Sequence, residues 1–138
     1  MHEATYLPAA AFARAPNHAP AERSESLQFD NGYGGFTTDG REYVIRLGAD
    51  AAGHLHRPPM PWVNVIANEV AGFLTTECGA GYMWAGNSRL NRLTAWHNDP
   101  VCDPHAEALW LREEDAGAYW SLTPGPTPGP AEYLVRHG

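Results

Sequence analysis

The chain has 138 residues, enough for one domain, and 43% of them are hydrophobic, so a core can form. Its formal net charge of −7 argues against partners that require a basic surface, such as nucleic acids and anionic membranes. Fourteen glycines and twelve prolines favour short strands and many turns over long helices.

The N-terminal segment, residues 1–27, is predicted to be a flexible linker. It is rich in Ala and Pro and shows no sustained hydrophobic period, so it cannot bury enough surface to offset the entropy of ordering. It also lacks the apolar core of a secretory signal, and the sequence has no apolar run long enough to span a bilayer. We therefore expect a soluble, cytoplasmic segment in which Cys78 and Cys102 stay reduced.

Residues 28–138 are predicted to form one β-sandwich domain that contains three hairpins. Each hairpin pairs two segments of strand composition: residues 29–36 with 42–47, 72–77 with 81–84, and 108–112 with 118–122. Asp39 and Gly40 form the first turn, because an Asp-Gly pair accepts positive φ. Gly117 is expected in the left-handed conformation in the third loop.

The remaining segments predict two single strands and two irregular stretches. Residues 62–67 and 133–137 have strand composition, whereas residues 48–61 form a loop. Between residues 123 and 130 every second position is proline, which blocks pairing wherever the N–H is missing. Since no helix longer than a turn or two is required, the predicted fold class is all-β, antiparallel and sandwich-like.

The segment with the clearest chemical character runs from residue 61 to residue 103. It holds three of the five tryptophans and a set of asparagines: Trp62, Trp84, Trp96, Asn64, Asn68, Asn87, Asn91 and Asn98. Indole rings can stack on the apolar face of a pyranose, and amides can bind its hydroxyls. The same residues also suit an ordinary sandwich with Trp in the core and Asn in turns, which composition alone favours. Residues 85–103 are unusually long for a connection, as functional loops often are.

A metal site is the first alternative for this region. His54 and His56 share one face of a strand but supply only two ligands. His97, Cys102 and His105, with Asp99 and Asp103 between them, offer N, S and O ligands for zinc. Two prolines make this stretch an extended loop, however, and spacing alone does not bring the side chains together. We therefore favour the interpretation that no metal is bound.

A pair of catalytic carboxylates is the second alternative. Asp99, Asp103 and Glu107 lie within nine residues, and a glycosidase needs two carboxyl groups across the scissile bond. Aspartates in such a loop more often accept hydrogen bonds from the backbone of their own turns, and we favour that interpretation.

Several motifs of the ordered region occur in one order and register. They include Asn-Gly-Tyr-Gly-Gly-Phe at 31–36, Asp-Gly-Arg-Glu-Tyr-Val-Ile at 39–45, Pro-Trp-Val-Asn-Val-Ile-Ala-Asn at 61–68, Gly-Ala-Gly-Tyr-Met-Trp at 79–84, Asn-Ser-Arg at 87–89, Asn-Asp-Pro-Val at 98–101 and Arg-His-Gly at 136–138. On these motifs residues 29–138 resemble the N-terminal domain of glycoside hydrolase family 94, the cellobiose and chitobiose phosphorylases. The resemblance is greatest to the phosphorylase-like region of cyclic β-1,2-glucan synthases.

This resemblance implies a fold and a place in a larger enzyme. The domain would be the first part of a galactose-mutarotase-like super-sandwich, packed against a downstream (α/α)₆ catalytic barrel of the parent chain. Family members cleave a β-glucosidic bond with inversion, using inorganic phosphate as co-substrate and an acid that lies in the barrel. We therefore expect no cofactor and no catalytic residue in this chain, which alone would be inactive. The parent enzyme could be anchored in the inner membrane.

The resulting hypothesis is a non-catalytic carbohydrate-binding or structural sandwich that binds β-glucan or gluco-oligosaccharide, belongs to a homo-oligomer and does not bind nucleic acid. The predicted sugar-binding residues occupy the long polar region: Trp84, Asn87, Arg89, Arg92, Trp96, Asn98 and Asp99. Trp62, Trp110 and Trp120 are assigned to the core. One alternative is an architectural segment without sugar affinity, whose strand edges recruit partners. Another is a small glycosidase or metal-dependent enzyme that uses residues 97–107.

Overall fold

A computed structural model describes residues 26–49, 54–115, 117–129 and 131–138, and all but two residues of the predicted linker lie outside them. The described residues contain eight strands and no helix, hence none that could cross a bilayer. The strands are β1 Gly34–Phe36, β2 Tyr43–Leu47, β3 Val63–Ala67, β4 Ala71–Thr76, β5 Gly81–Ala85, β6 Trp110–Arg112, β7 Tyr119–Ser121 and β8 Tyr133–His137. All their pairings are antiparallel, which confirms the predicted fold class.

The first sheet has the order β1-β2-β8 and holds the densest part of the core. Val44, Ile45 and Leu47 of β2 are almost inaccessible to solvent, because β2 is the central strand. The β1–β2 hairpin was predicted, and its turn has Gly40 at φ 70° with the Gly40 N–H donating to the Thr37 carbonyl. Pairing of β8 with β2 was not predicted, since it joins residues about ninety positions apart, such as Ile45 and Val135.

The second sheet has the order β3-β4-β5 and contains the predicted hairpin around Cys78. The β3–β4 turn is fixed by Asn68, whose Oδ1 accepts from the Val70 and Ala71 N–H groups at 2.8 and 3.0 Å. The β4–β5 turn has Gly79 at φ 90°. Beside this sheet, Trp62 packs edge-on against Tyr43, with ring centroids 5.5 Å apart, and so links the two sheets.

The two faces of the β3-β4-β5 sheet differ in exposure. Directly opposed residues in an antiparallel ladder lie on the same face, so Gly72 and Trp84 share one face with Tyr82. We call this the Trp84 face; Tyr82 and Trp84 are 7% and 8% exposed. The opposite face carries Phe73 and Met83, both of which are exposed.

The third predicted hairpin is also present, as β6 and β7 paired Leu111 to Trp120. Gly117 has φ 67°, as expected for its loop. The assignment of Trp110 to the core is wrong, because its side chain is 43% exposed on the short β6–β7 ribbon. Trp62 and Trp120 are half-buried. Residues 123–129 contain no strand, as their prolines predict.

Candidate functional site

The long polar connection after β5 is attached to the edge of that strand. The Ala85 N–H donates to the Asn91 carbonyl at 3.1 Å, and the Leu93 N–H donates to the Met83 carbonyl at 2.8 Å. The Met83 N–H donates to Thr94 Oγ1 at 2.9 Å. Residues 91–94 therefore extend the sheet by a short irregular segment, which holds the loop of residues 86–103 against β5.

This attachment brings together three aromatic side chains and one arginine. We call the group the Tyr82 cluster: Tyr82, Trp84, Arg92 and Trp96. The Tyr82 and Trp96 rings are stacked, with centroids 5.0 Å apart and an interplanar angle of 29°. Trp84 also contacts the phenol ring, with centroids 5.3 Å apart and an interplanar angle of 43°. The backbone bridge between Trp84 and Arg92 places Arg92 on the same face. Three of the seven predicted sugar-binding residues thus lie together.

Arg92 supplies the charge of the cluster. Its guanidinium carbon lies 5.4 Å from the Tyr82 ring centroid and 5.7 Å from that of Trp96. Its Nε donates to the Ser88 carbonyl at 3.3 Å. A cation over two aromatic faces stabilises this arrangement by about 0.5–1 kcal/mol per contact when exposed. Since Tyr82 and Trp84 are buried, the accessible part of the cluster consists of exposed Arg92 and half-buried Trp96.

Two other predicted sugar-binding residues use their side chains to close turns. Asn87 Oδ1 accepts from the N–H groups of Arg89 and Leu90 at 3.0 and 2.9 Å. Asp99 Oδ1 accepts from the N–H groups of Val101 and Cys102 at 2.9 and 3.1 Å.

The backbone donors also affect the acidity of Asp99. The hydrogen bond from the Cys102 N–H, followed by that from Val101, lowers the pKa of the Asp99 carboxyl. The side chains of Asn87 and Asp99 therefore each have a structural role in their own turn, and this role accounts for their residue type.

The remaining predicted residues, Arg89 and Asn98, are exposed on the same loop. Both side chains are therefore accessible to solvent on the loop that carries Arg92 and Trp96. Assignment of all seven residues to sugar binding stays a prediction.

Tyr82, the centre of the cluster, was missed by the sequence analysis. Its i, i+2 spacing to Trp84 on β5 could have indicated it, because alternate residues of a strand share a face.

The three carboxylates considered as a catalytic group have separate environments. Asp99 closes its own turn, whereas Asp103 Oδ2 accepts from Thr76 Oγ1 at 2.7 Å. Glu107 lies beside a groove of about 510 Å³ lined also by Phe73, Met83 and Leu109. This groove is mostly apolar, and the sequence analysis did not predict it.

The residues considered as zinc ligands have other partners or surroundings. His105 Nε2 lies 3.1 Å from the Cys78 carbonyl oxygen, within hydrogen-bond distance. Cys102 is a free, exposed thiol. Among the described residues, no group of three or more His, Cys, Asp or Glu side chains is placed to hold a metal ion.

A buried carboxylate that the sequence analysis did not single out lies at the β4–β5 turn. Glu77 is 3% exposed, and its Oε2 accepts from the Trp62 N–H at 2.7 Å. Its Oε1 lies 3.6 Å from Cys78 Sγ, which donates to it. A buried carboxylate requires hydrogen-bond donors, and the Trp62 N–H and the Cys78 thiol supply them. Glu77 therefore links the residue before β3 to the end of β4.

The family of the chain follows from a match that includes seven of the eight strands, β2 to β8. Residues 41–138 match the sequence model described as glycosyl hydrolase 94, supersandwich domain. The chain belongs to this family. The resemblance inferred from the sequence motifs is confirmed, and the antiparallel sheets agree with a supersandwich domain.

Three relatives are similar to this supersandwich domain. A cyclic beta-(1,2)-glucan synthase of Rhizobium meliloti is 46% identical over 99 residues, which cover 71% of this chain and 3% of the synthase. An N,N′-diacetylchitobiose phosphorylase of Vibrio proteolyticus is 32% identical over 111 residues, and that of Vibrio furnissii is 31% identical over the same length. Each match covers 77% of this chain and 13% of the phosphorylase. The supersandwich chain thus corresponds to a small part of much larger relatives.

Proposed function

We propose that this chain is the non-catalytic, carbohydrate-binding β-sandwich portion of a glycoside phosphorylase or a cyclic β-1,2-glucan synthase. Membership of the glycosyl hydrolase 94 supersandwich family supports the enzyme class. The observation that supports sugar binding is the Tyr82 cluster, in which half-buried Trp96 lies beside Arg92 on an exposed loop. An indole face for the pyranose C–H groups and an adjacent polar cation for its hydroxyls suit an oligosaccharide.

The reaction of the whole enzyme is part of the same proposal. It would be the inverting phosphorolysis, or the transfer, of β-glucosyl units. Inorganic phosphate is the co-substrate proposed for phosphorolysis, and this chain needs no cofactor of its own. The catalytic acid would belong to the (α/α)₆ barrel of the parent chain, against which this sandwich packs. We propose a cytoplasmic location for the segment.

A titration of the purified chain with β-1,2-linked and β-1,4-linked gluco-oligosaccharides and with N,N′-diacetylchitobiose tests sugar binding. Calorimetry is the readout for variants, because substitution of a tryptophan changes the fluorescence signal itself. Trp96→Ala should weaken binding at least about 10-fold, since a lost aromatic stacking contact removes on the order of 1.4 kcal/mol. Trp110→Ala is the matched control, because Trp110 lies on the β6–β7 ribbon outside the loop.

The competing function is purely architectural, and the exposed apolar residues of the β3-β4-β5 sheet favour it. Phe73 and Met83 lie exposed on the face opposite Trp84, and such a face suits packing against another protein surface. Binding of none of the three sugars would contradict sugar binding and leave this architectural function. A large fall in melting temperature for Trp96→Ala would show that Trp96 packs in the core and would contradict its assignment to sugar binding.

A further inference from the structure

The turn that precedes β1 contains an asparagine followed by a glycine. Among the asparagines that the structure describes, Asn31 is the one whose next residue is glycine. An asparagine side chain can react with the backbone nitrogen of the residue that follows it, and a glycine there leaves that nitrogen unhindered. Asn31 is exposed, and nothing lies within 4 Å of a Cβ built on Gly32, so a ring has room to form at this position.

The side-chain oxygen of Asn31 is held by two backbone donors. Its Oδ1 accepts from the N–H groups of Tyr33 and Gly34 at 3.1 and 3.2 Å. The side-chain carbonyl therefore bends over the backbone that follows it, which brings Cγ toward the Gly32 nitrogen. When that nitrogen attacks Cγ, negative charge develops on Oδ1, and N–H groups that already point at this oxygen stabilise the charge.

The attacking nitrogen has an acceptor for its proton. The Gly32 N–H donates to Asp30 Oδ1 at 2.8 Å, and the other carboxylate oxygen of Asp30 lies 3.5 Å from Arg46 Nη1. An amide nitrogen attacks as it loses its proton, and a carboxylate placed at that proton can accept it as a general base. The Arg46 N–H donates to the Tyr33 carbonyl at 2.9 Å, so β2 holds the whole turn in place.

Two other asparagines offer an internal comparison. The Oδ1 atoms of Asn68 and Asn87 also accept from the N–H groups two and three residues ahead. They are followed by Glu69 and Ser88, whose side chains crowd the backbone nitrogen that would attack. Asn31 is therefore the described asparagine that combines this pair of donors with a following glycine.

We propose that Asn31 is a site of self-catalysed deamidation, in which Asp30 accepts the proton and the two backbone donors stabilise the developing charge. The Gly32 nitrogen forms a bond to Cγ of Asn31 as its proton passes to Asp30. The C–N bond of the side-chain amide then breaks, the proton passes to the departing nitrogen, and ammonia leaves a cyclic succinimide. Water opens the ring at either carbonyl and gives aspartate or isoaspartate, with no change of oxidation state. This modification site goes beyond the proposed function and does not depend on sugar binding.

The isoaspartate product should loosen the start of the first sheet. It adds one carbon to the main chain between residue 31 and Gly32, just before β1 begins at Gly34. The Asn31 N–H donates to the Gly34 carbonyl at 3.0 Å, and this bond depends on the original spacing. Because β1 pairs with β2 over only three residues, we expect the modified chain to melt at a lower temperature than the fresh chain. Thermal unfolding before and after incubation measures this difference.

Peptide mass spectrometry of the full chain, incubated at neutral pH and then digested, measures the converted fraction of Asn31. Asp30→Ser removes the carboxylate but keeps an oxygen that can accept from the N–H two residues ahead. It should slow conversion in the native chain at least about 10-fold, since a positioned general base contributes that much or more. Asp39→Ser is the matched control, because Asp39 Oδ1 likewise accepts from the Arg41 N–H, at 3.2 Å, in a different turn. Its rate should stay within about 2-fold of the parent rate, because it leaves the Asp30 carboxylate in place.

The same incubation in guanidinium chloride separates the effect of the fold from that of the local sequence. The unfolded parent and Asp30→Ser should convert within about 2-fold of each other, because an unfolded chain does not hold the carboxylate at the Gly32 N–H. The native parent should convert faster than the unfolded parent, while Asn68 and Asn87 stay unmodified in the same digest. This second comparison needs no substitution, so it holds whatever the stability of the variant. Slower conversion in the native than in the unfolded parent, or equal native rates for parent and Asp30→Ser, would overturn the proposal.

Discussion

The indole of Trp84 lies directly over Gly72 on the neighbouring strand. A Cβ added at Gly72 would lie 2.7 Å from Cε2 of Trp84 and 2.7 Å from the Cβ of Ala67. Real side chains do not approach so closely, so this position requires glycine for space. The contact explains how the large ring on β5 becomes buried against the neighbouring strand.

Gly72→Ala should therefore lower the free energy of unfolding by about 1–3 kcal/mol, the range for overpacking a filled site. Urea denaturation followed by tryptophan fluorescence measures it. Gly48→Ala is the matched control, because nothing lies within 4 Å of a Cβ built there. Gly48→Ala should be neutral or stabilise the fold by up to about 1 kcal/mol. Equal stability of the two variants would contradict the close packing of Trp84 on Gly72.

The two cysteines should differ in reactivity toward a disulfide reagent. Burial, and next the charge of Glu77, raises the pKa of the Cys78 thiol to about 12, so almost no thiolate is present near neutral pH. Cys102 is exposed. At about pH 8 we expect one rapidly reacting thiol per native chain and two after denaturation.

Cys102→Ser should abolish the rapid phase, whereas Cys78→Ser should retain it. Rapid reaction of the Cys102→Ser variant would show that Cys78 is accessible in the native state and would contradict its burial.

Asp99 should contribute to the acid sensitivity of the fold. Its folded-state pKa lies below the ordinary value of 3.8, because the Cys102 and Val101 N–H groups donate to the carboxylate. The ionised form therefore stabilises the fold above about pH 4, and this contribution is lost as the pH falls through the folded-state pKa. Asp99→Asn keeps an acceptor oxygen but does not titrate.

Melting temperatures between about pH 3 and pH 7 measure this contribution. Asp99→Asn should lose less stability than the parent chain below about pH 4. Glu69→Gln, in the exposed β3–β4 turn, is the control and should follow the parent curve. Superimposable curves for the parent chain and Asp99→Asn would contradict the hydrogen-bonded role of the carboxylate.

Local turn chemistry made most of the strands predictable. Asp39 with Gly40, Gly79 and Gly117 mark hairpin turns, and each of these glycines has the positive φ that favours its residue type. Such signals depend on a few adjacent residues, so they can be interpreted without knowing the rest of the fold. Interpretation of Asp99 as a turn residue was confirmed for the same reason.

The candidate site was predictable only in part. The sequence indicated the loop after β5 and three members of the cluster within it, but not Tyr82, which joins them. It also assigned Trp110 to the core and Trp84 to the binding surface, whereas Trp110 is exposed and Trp84 is buried. Aromatic residue type does not distinguish these places, because indole suits both a core and a surface.

The sequence by itself thus determined the family, through motifs that occur in one order and register. It also determined the all-β class and the three local hairpins, because strand composition and turn residues act over short distances. Only the tertiary structure decided that β8 returns to β2 and that residues 91–94 cover the edge of β5. It also decided which face of each sheet is covered. Alternation shows which residues share a face, but the side that is buried depends on elements brought together from distant parts of the chain.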